Sequence, residues 1–127
     1  MKTLLSLMAA TCFALPVWAD DLVTRDVLNE QPLSDADDMV VIVSKLTIKP
    51  GGRIPLHTHP GDEHAVIHQG GTALMPNGQQ MAMAPGMAMF FSAGDVHGGV
   101  TNEGDADIVI YTTHILNALE PFQTLAE

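Results

Sequence analysis

Polar and apolar residues alternate with a period of two over most of the chain between Met39 and Ile115, which is the pattern of strands with one buried face. In Met39 to Lys49 the alternating set Val40, Ile42, Ser44, Leu46 and Ile48 is expected to face inwards, and Pro50-Gly51-Gly52 stops the strand. Glu63 to Gln69 repeats the pattern. Residues 63, 65, 67 and 69 share one face, so His64 and His68 fall on the other and read as surface or subunit-contact residues. Gly70-Gly71 turns the chain into Thr72 to Met75, and Pro76-Asn77-Gly78 is a hairpin signal leading to Gln79 to Ala84. After Pro85-Gly86 come Met87 to Ser92 and, further on, Ala106 to Ile115. In that last strand Ile108, Ile110, Thr112 and His114 lie on one face and Val109, Tyr111, Thr113 and Ile115 on the other, and periodicity does not choose between them.

The flanks are weaker. Residues 20–38 predict one short edge strand around Leu22 to Val27, then a loop over the polar stretch Ser34 to Asp38, where Asp35, Asp37 and Asp38 cluster. Residues 116–127 read as a tail or a single helical turn broken by Pro121. No linker or long repeat divides residues 39–115, so the pattern predicts one all-β domain, a barrel or sandwich built from antiparallel hairpins.

The first nineteen residues change the composition. Met1-Lys2 is a positive start, Leu4 to Leu15 an uncharged apolar run, and Val17-Trp18-Ala19 offers small residues before a cut. This predicts a signal peptide, residues 1–19, cleaved after Ala19, and a periplasmic or secreted protein. The run is too short for a membrane anchor and Pro16 interrupts it, so no membrane association is expected after cleavage. Cleavage removes the single cysteine, so stability has to come from a core, a metal or a second subunit. It also leaves Arg25, Lys45, Lys49 and Arg53 against 15 acidic residues. Such a balance argues against nucleic acid and anionic membranes as partners.

Candidate chemistry lies between Gly51 and Gly70. His57 and His59, one residue apart, share a strand face; Pro60-Gly61 turns the chain and brings Glu63 back towards them. Imidazole nitrogen and carboxylate oxygen together suit a first-row divalent ion. His97, after Gly86, Ser92 and Gly94, supplies a fourth ligand.

These residues resemble the cupin family. Its first motif, G-x5-H-x-H-x3-4-E-x6-G, is matched by Gly51, His57, His59, Glu63 and Gly70. Its second, G-x5-P-x-G-x2-H-x3-N, is matched by Gly86, Gly94 and His97, with Ser92 in place of proline and Thr101 in place of asparagine, Asn102 following one position late. The resemblance covers about Val40 to Ile115. It implies a cupin-type antiparallel β-barrel, a jelly-roll-like double-stranded β-helix, over residues 39–115. It also implies one metal ion held by His57, His59, Glu63 and His97, and a homodimer. Mn, Fe, Ni and Zn are all used in the family, and affinity order adds Cu. The family hosts dioxygenases, decarboxylases and isomerases beside non-catalytic binders, so it leaves the reaction open.

The expected function is therefore an exported metal-dependent enzyme acting on a small oxygenated molecule. The alternatives are a non-catalytic protein that binds or delivers a metal or small ligand, and a structural barrel with a disused site. Candidate proton-transfer groups are Glu63, Tyr111 and, if its face is inward, His114. Arg53 is a candidate to orient a substrate carboxylate, or else a solvated turn residue. Met75, Met81, Met83, Met87 and Met89 cluster within fifteen residues, and Met81, Met83, Met87 and Met89 read first as one apolar face on the two arms of the Pro85-Gly86 turn. They would also serve as a soft wall for a small ligand, or as thioether ligands for Cu(I). A barrel of this length is expected to enclose about 300 Å³, the low end of ligand sites.

Overall fold

Val23–Leu33 (β1) and Ala36–Ile48 (β2) form a long antiparallel hairpin at one side of the computed structural model, which describes residues 22–127. The expected signal peptide, residues 1–19, lies outside the described residues. The stretch Ser34 to Asp38, expected as a loop, is mostly strand. Ser34-Asp35 alone turns the chain, with Asp35 at φ 62°, a left-handed conformation that Asp tolerates better than most residues, and Asp37 and Asp38 lie exposed in β2. The hairpin's length also corrects the short edge strand, since β1 runs six residues beyond Val27, to Leu33.

The remaining strands are Arg53–Ile54 (β3), His57–Thr58 (β4), Gly61–Gln69 (β5), Gly71–Leu74 (β6), Gln80–Met83 (β7), Ala88–Phe91 (β8), Val100–Asn102 (β9), Ile108–Asn117 (β10) and Thr124–Leu125 (β11). They make a five-stranded sheet of order β1-β2-β10-β5-β8, a four-stranded sheet of order β3-β9-β6-β7, and the pair β4-β11. Every pairing is antiparallel. No helix occurs among the described residues, so residues 116–127 complete β10 and add β11 instead of forming a helical turn.

The sheets are not closed into a barrel. β1 and β8 end the larger sheet and β3 and β7 the smaller, because the chain passes between sheets by bends at Gly70 and Pro85-Gly86 and not by continuous ladders. Between the sheets Leu46, Ile48, Ala65, Ile67, Ile108 and Ile110 pack against Ala73 and Met83. Each large aliphatic chain so buried contributes about 1.5–3 kcal/mol. Ser44, Leu46 and Ile48 take the inward face expected of β2. In β10 the buried set is Ile108, Ile110, Thr112, His114 and Leu116, which resolves the face that periodicity left open.

Asn102 ties the two sheets together. It is 1% exposed, its side-chain amide donates to the Ile48 carbonyl at 2.8 Å and the Ala106 carbonyl at 2.9 Å, and its Oδ1 accepts from the Gly104 N–H at 2.9 Å.

Candidate metal centre

His57 and His97 are placed by backbone pairing. They form an isolated antiparallel bridge in which each N–H donates to the other's carbonyl, at 2.9 and 3.0 Å. His59 follows two residues along the same face, and Glu63 sits on the inward face of β5. His57, His59 and Glu63 are buried, at 4%, 3% and 6% exposure, and one ligand atom from each of the four side chains lies within 4.8 Å of the others.

Hydrogen bonds fix the ring tautomers. His57 Nδ1 donates to the Pro55 carbonyl at 2.8 Å, His59 Nδ1 to the Phe122 carbonyl at 2.6 Å, and His97 Nδ1 to the Asp95 carbonyl at 2.9 Å. A carbonyl can only accept, so each neutral ring keeps its proton on Nδ1 and presents the Nε2 lone pair. These lone pairs converge. His57 Nε2 lies 3.1 Å from His59 Nε2, and Glu63 Oε2 lies 2.8 Å from His97 Nε2 and 3.3 Å from His59 Nε2. Two facing lone pairs repel unless a cation or a proton lies between them. Separations near 3 Å are also those of adjacent ligands on an ion with bonds of about 2.0–2.2 Å. The donor set therefore fits a divalent metal.

The same carboxylate dominates the local electrostatics. Burial alone would raise the Glu63 carboxyl, but His114, His59 and His97, which face it through Nε2, outweigh that when they carry a proton there and hold the group far below the usual carboxylate range. Burial pushes the His57 imidazolium down, aided by His97 and His59 and opposed by the Pro55 carbonyl. Burial also acts downward on His97, yet its bond to Glu63 and the Asp95 carbonyl raise it overall.

His114 is a fourth histidine at the site. It is fully buried, with Nε2 3.3 Å from His59 Nε2 and 3.5 Å from Glu63 Oε2, and its Nδ1 has no hydrogen-bond partner among the described residues. Burial lowers its basicity more than Glu63 raises it. The loop before His97 is held without the motif's proline, by Asp95 Oδ2 accepting from the Ser92 N–H at 3.0 Å and the Asp95 N–H donating to the Ser92 carbonyl at 3.0 Å. The Phe91 ring stacks on His97 at 4.2 Å.

Tyr111 does not join the centre. It is 40% exposed and packs against His68 on the outer face of β10, because strand alternation that turns Thr112 inward turns Tyr111 out. His64 and His68 are likewise exposed on the outer face of β5. Arg53 is exposed in β3, outside the cavity beside the centre. That cavity measures about 520 Å³, larger than expected, and has His57, Glu63 and His97 in its wall.

The methionines line it from both sides. Met81 and Met83 belong to β7 in the smaller sheet and Met89 to β8 in the larger, so the two arms of the Pro85-Gly86 turn form opposed walls and not one hairpin face. Two residues at the site had no motif to announce them. Arg25 on β1 reaches across β2 to donate to Thr112 Oγ1 at 2.8 Å, and Phe122 supplies the carbonyl that orients His59.

A family model described as a cupin domain matches residues 44–114. Among solved structures, a cupin domain from Bordetella pertussis superposes with a TM-score of 0.57 at 22% identity, covering 73% of this chain and 92% of that one. The polyketide cyclase RemF from Streptomyces resistomycificus gives 0.61 at 18%, covering 84% and 72%. The DMSP lyase DddQ from Ruegeria pomeroyi gives 0.58 at 19%, covering 84% and 52%. These likenesses concern the fold. Comparison with curated proteins finds no match.

Proposed function

Because the chain belongs to the cupin family, its domain model spanning residues 44–114, we propose that it is a metal-dependent enzyme acting on a small oxygenated molecule. The observation that carries this reading is the convergence of three Nε2 lone pairs and the Glu63 carboxylate at the wall of a mostly apolar cavity. His57, His59, Glu63 and His97 would hold one divalent ion. When bound, it would supply Lewis-acid polarisation of a substrate oxygen. Structural neighbours named as a polyketide cyclase and a DMSP lyase show the fold carrying small-molecule chemistry.

The protein's own groups do the rest. The Pro55, Phe122 and Asp95 carbonyls orient the three rings. The apolar walls exclude water from the reacting centre. The histidine contacts of Glu63 all fall on Oε2 and keep its carboxylate ionised as a ligand. Tyr111, on the outer face, takes no part in proton transfer.

Export to the periplasm and a homodimer belong to the same reading. The exposed Val66, Phe90 and Tyr111 supply an apolar surface for a second copy. Light scattering on the purified protein measures the assembly, and a monomer at micromolar concentration would remove the dimer.

The deciding experiment is metal content by mass spectrometry on protein exported from its own host, with His57→Ala beside it. Near-stoichiometric Mn, Fe, Ni or Zn, lost in the variant, supports the centre and directs a substrate screen. Bound metal without turnover of any small oxygenated compound would favour the storage or delivery role, and no metal in either protein would overturn the reading.

A further inference from the structure

Arg25 brings a cation into a cavity whose walls are otherwise mostly apolar. The guanidinium lines the same space as Met75, Met81, Met83 and Met89 and as the ligands His57 and His97. Placing a cation in such surroundings is costly, and the desolvation is large enough to lower its basicity although Glu63 opposes the effect. The other described cations sit in water or pair with a neighbour: Lys49 and Arg53 are exposed and Lys45 meets Asp26 at 3.3 Å.

What the protein gives Arg25 in return is slight. One nitrogen donates to Thr112 Oγ1 at 2.8 Å, and the Phe122 ring lies 5.2 Å from the guanidinium carbon. Among the described residues Arg25 makes no salt bridge. A guanidinium has five N–H donors in a planar fork that matches a carboxylate. The hydroxyl of Ser44, opposite Thr112 in the β2–β10 ladder, is fully buried and has no hydrogen-bond partner among the described residues. Donor capacity is thus left over around Arg25 on the inner side of β1, β2 and β10.

We propose that the cavity is selective for small organic anions, with Arg25 as the specificity residue that holds a carboxylate. The ligand's apolar body then lies against the methionine walls. On the metal-centre reading, such a ligand shares the cavity with His57, Glu63 and His97. The competing explanation is that Arg25 is a fixed structural cation offsetting Glu63, in which case it has no preference among ligands.

The test compares hexanoate with the neutral isostere hexanamide by titration calorimetry, on protein loaded with Mn(II) and on protein freed of metal. A charge-assisted bidentate contact is expected to favour hexanoate by about tenfold or more in both forms. Arg25→Gln is expected to abolish that preference by weakening hexanoate, while leaving the Mn(II) content unchanged. Arg25→Lys keeps the charge without the fork and should retain part of the preference, which covers the case where glutamine unfolds β1.

Equal binding of the two probes by the wild type overturns the proposal. So does a preference that survives unchanged in both variants, since it would place the carboxylate on the metal. If the protein takes up none of Mn(II), Fe(II), Ni(II) and Zn(II) yet shows an Arg25-dependent preference, the metal reading fails and the anion site stands.

Discussion

His57 and His97 exchange both backbone hydrogen bonds across an isolated antiparallel bridge, so two ligands from distant parts of the chain are set by main-chain geometry. The centre is therefore built before any ion arrives. Metal removal should leave the strands in place and act mainly through mass action on stability. At a free metal concentration about a hundredfold above Kd the gain is about 2.7 kcal/mol. For a domain of roughly 100 residues this is about 10–20 °C in Tm. Chelation should lower Tm by that order with an unchanged far-ultraviolet circular dichroism spectrum; a spectrum that collapses on chelation would mean that the metal, not the bridge, organises the site.

The tail provides a test of how the rings are oriented. β11 pairs Leu125 with His57, and the Phe122 carbonyl takes the His59 Nδ1 proton. Deleting residues 121–127 removes both contacts without touching a ligand. Loss of such an outer partner costs about 10–100-fold in metal affinity. Competition with a coloured chelator would measure it, and an unchanged affinity would show that His59 is held by packing against His114 alone.

Protonation at the centre has a defined sign in the metal-free protein. His57 and His114 have their pKa values lowered by burial, so below the ordinary histidine value of about 6.5 the unfolded chain binds protons that the folded chain refuses. Their contribution is complete above that value and is lost as pH falls towards the folded values. His97 runs the other way. Despite burial, its pKa is raised by Glu63, so its contribution is complete below about 6.5 and is lost as pH rises through the folded value. With two groups against one, metal-free protein should lose urea stability between pH 7 and pH 5, and His114→Gln should flatten that slope. A slope that steepens in His114→Gln would contradict the assignment.

Glu63 binds these effects together, and its charge can be removed at nearly constant shape. In Glu63→Gln the anion that raises His97 is gone, so the His97 resonance in metal-free protein should titrate lower than in wild type. Nuclear magnetic resonance of the ring protons reads this directly. A His97 titration that does not move would assign its shift to the Asp95 carbonyl instead.

The four candidate ligands were legible because their spacing carries the geometry: His57 and His59 share a strand face, and the Pro60-Gly61 turn brings Glu63 under them. His114 and Tyr111 were not separable, since both faces of β10 are rich in β-branched and apolar residues and only the pairing with β2 and β5 decides which is inside. Arg25 was hidden for a different reason. Its role depends on a side chain crossing β2 to Thr112, a contact between residues far apart in the chain, whereas Arg53, closer in sequence to the ligands, is exposed in β3 as a solvated residue is. The Phe122 contribution is a main-chain carbonyl, which no residue type signals. The aspartates of Ser34 to Asp38 read as loop because polarity was taken for irregularity; exposed strand positions near a hairpin end tolerate the same charges.

Asn102 shows how a motif residue displaced by one position keeps its work. With Thr101 where the cupin motif has asparagine, the Asn102 side chain is nonetheless buried and bonded to the Ile48 and Ala106 carbonyls and the Gly104 N–H, joining the end of β2 to β9. Asn102→Ala would leave these backbone groups short of partners in a dry environment, at about 1–3 kcal/mol for each one left unsatisfied. Some of that is recovered if water enters, so a net loss of roughly 2–4 kcal/mol in urea unfolding is expected. Since no ligand moves directly, metal affinity in the folded variant should stay within about threefold, less than half a decade on the affinity scale. A stability loss below about 1 kcal/mol, the size of one ordinary hydrogen bond, would mean that the two sheets are joined by apolar packing and that the asparagine is incidental.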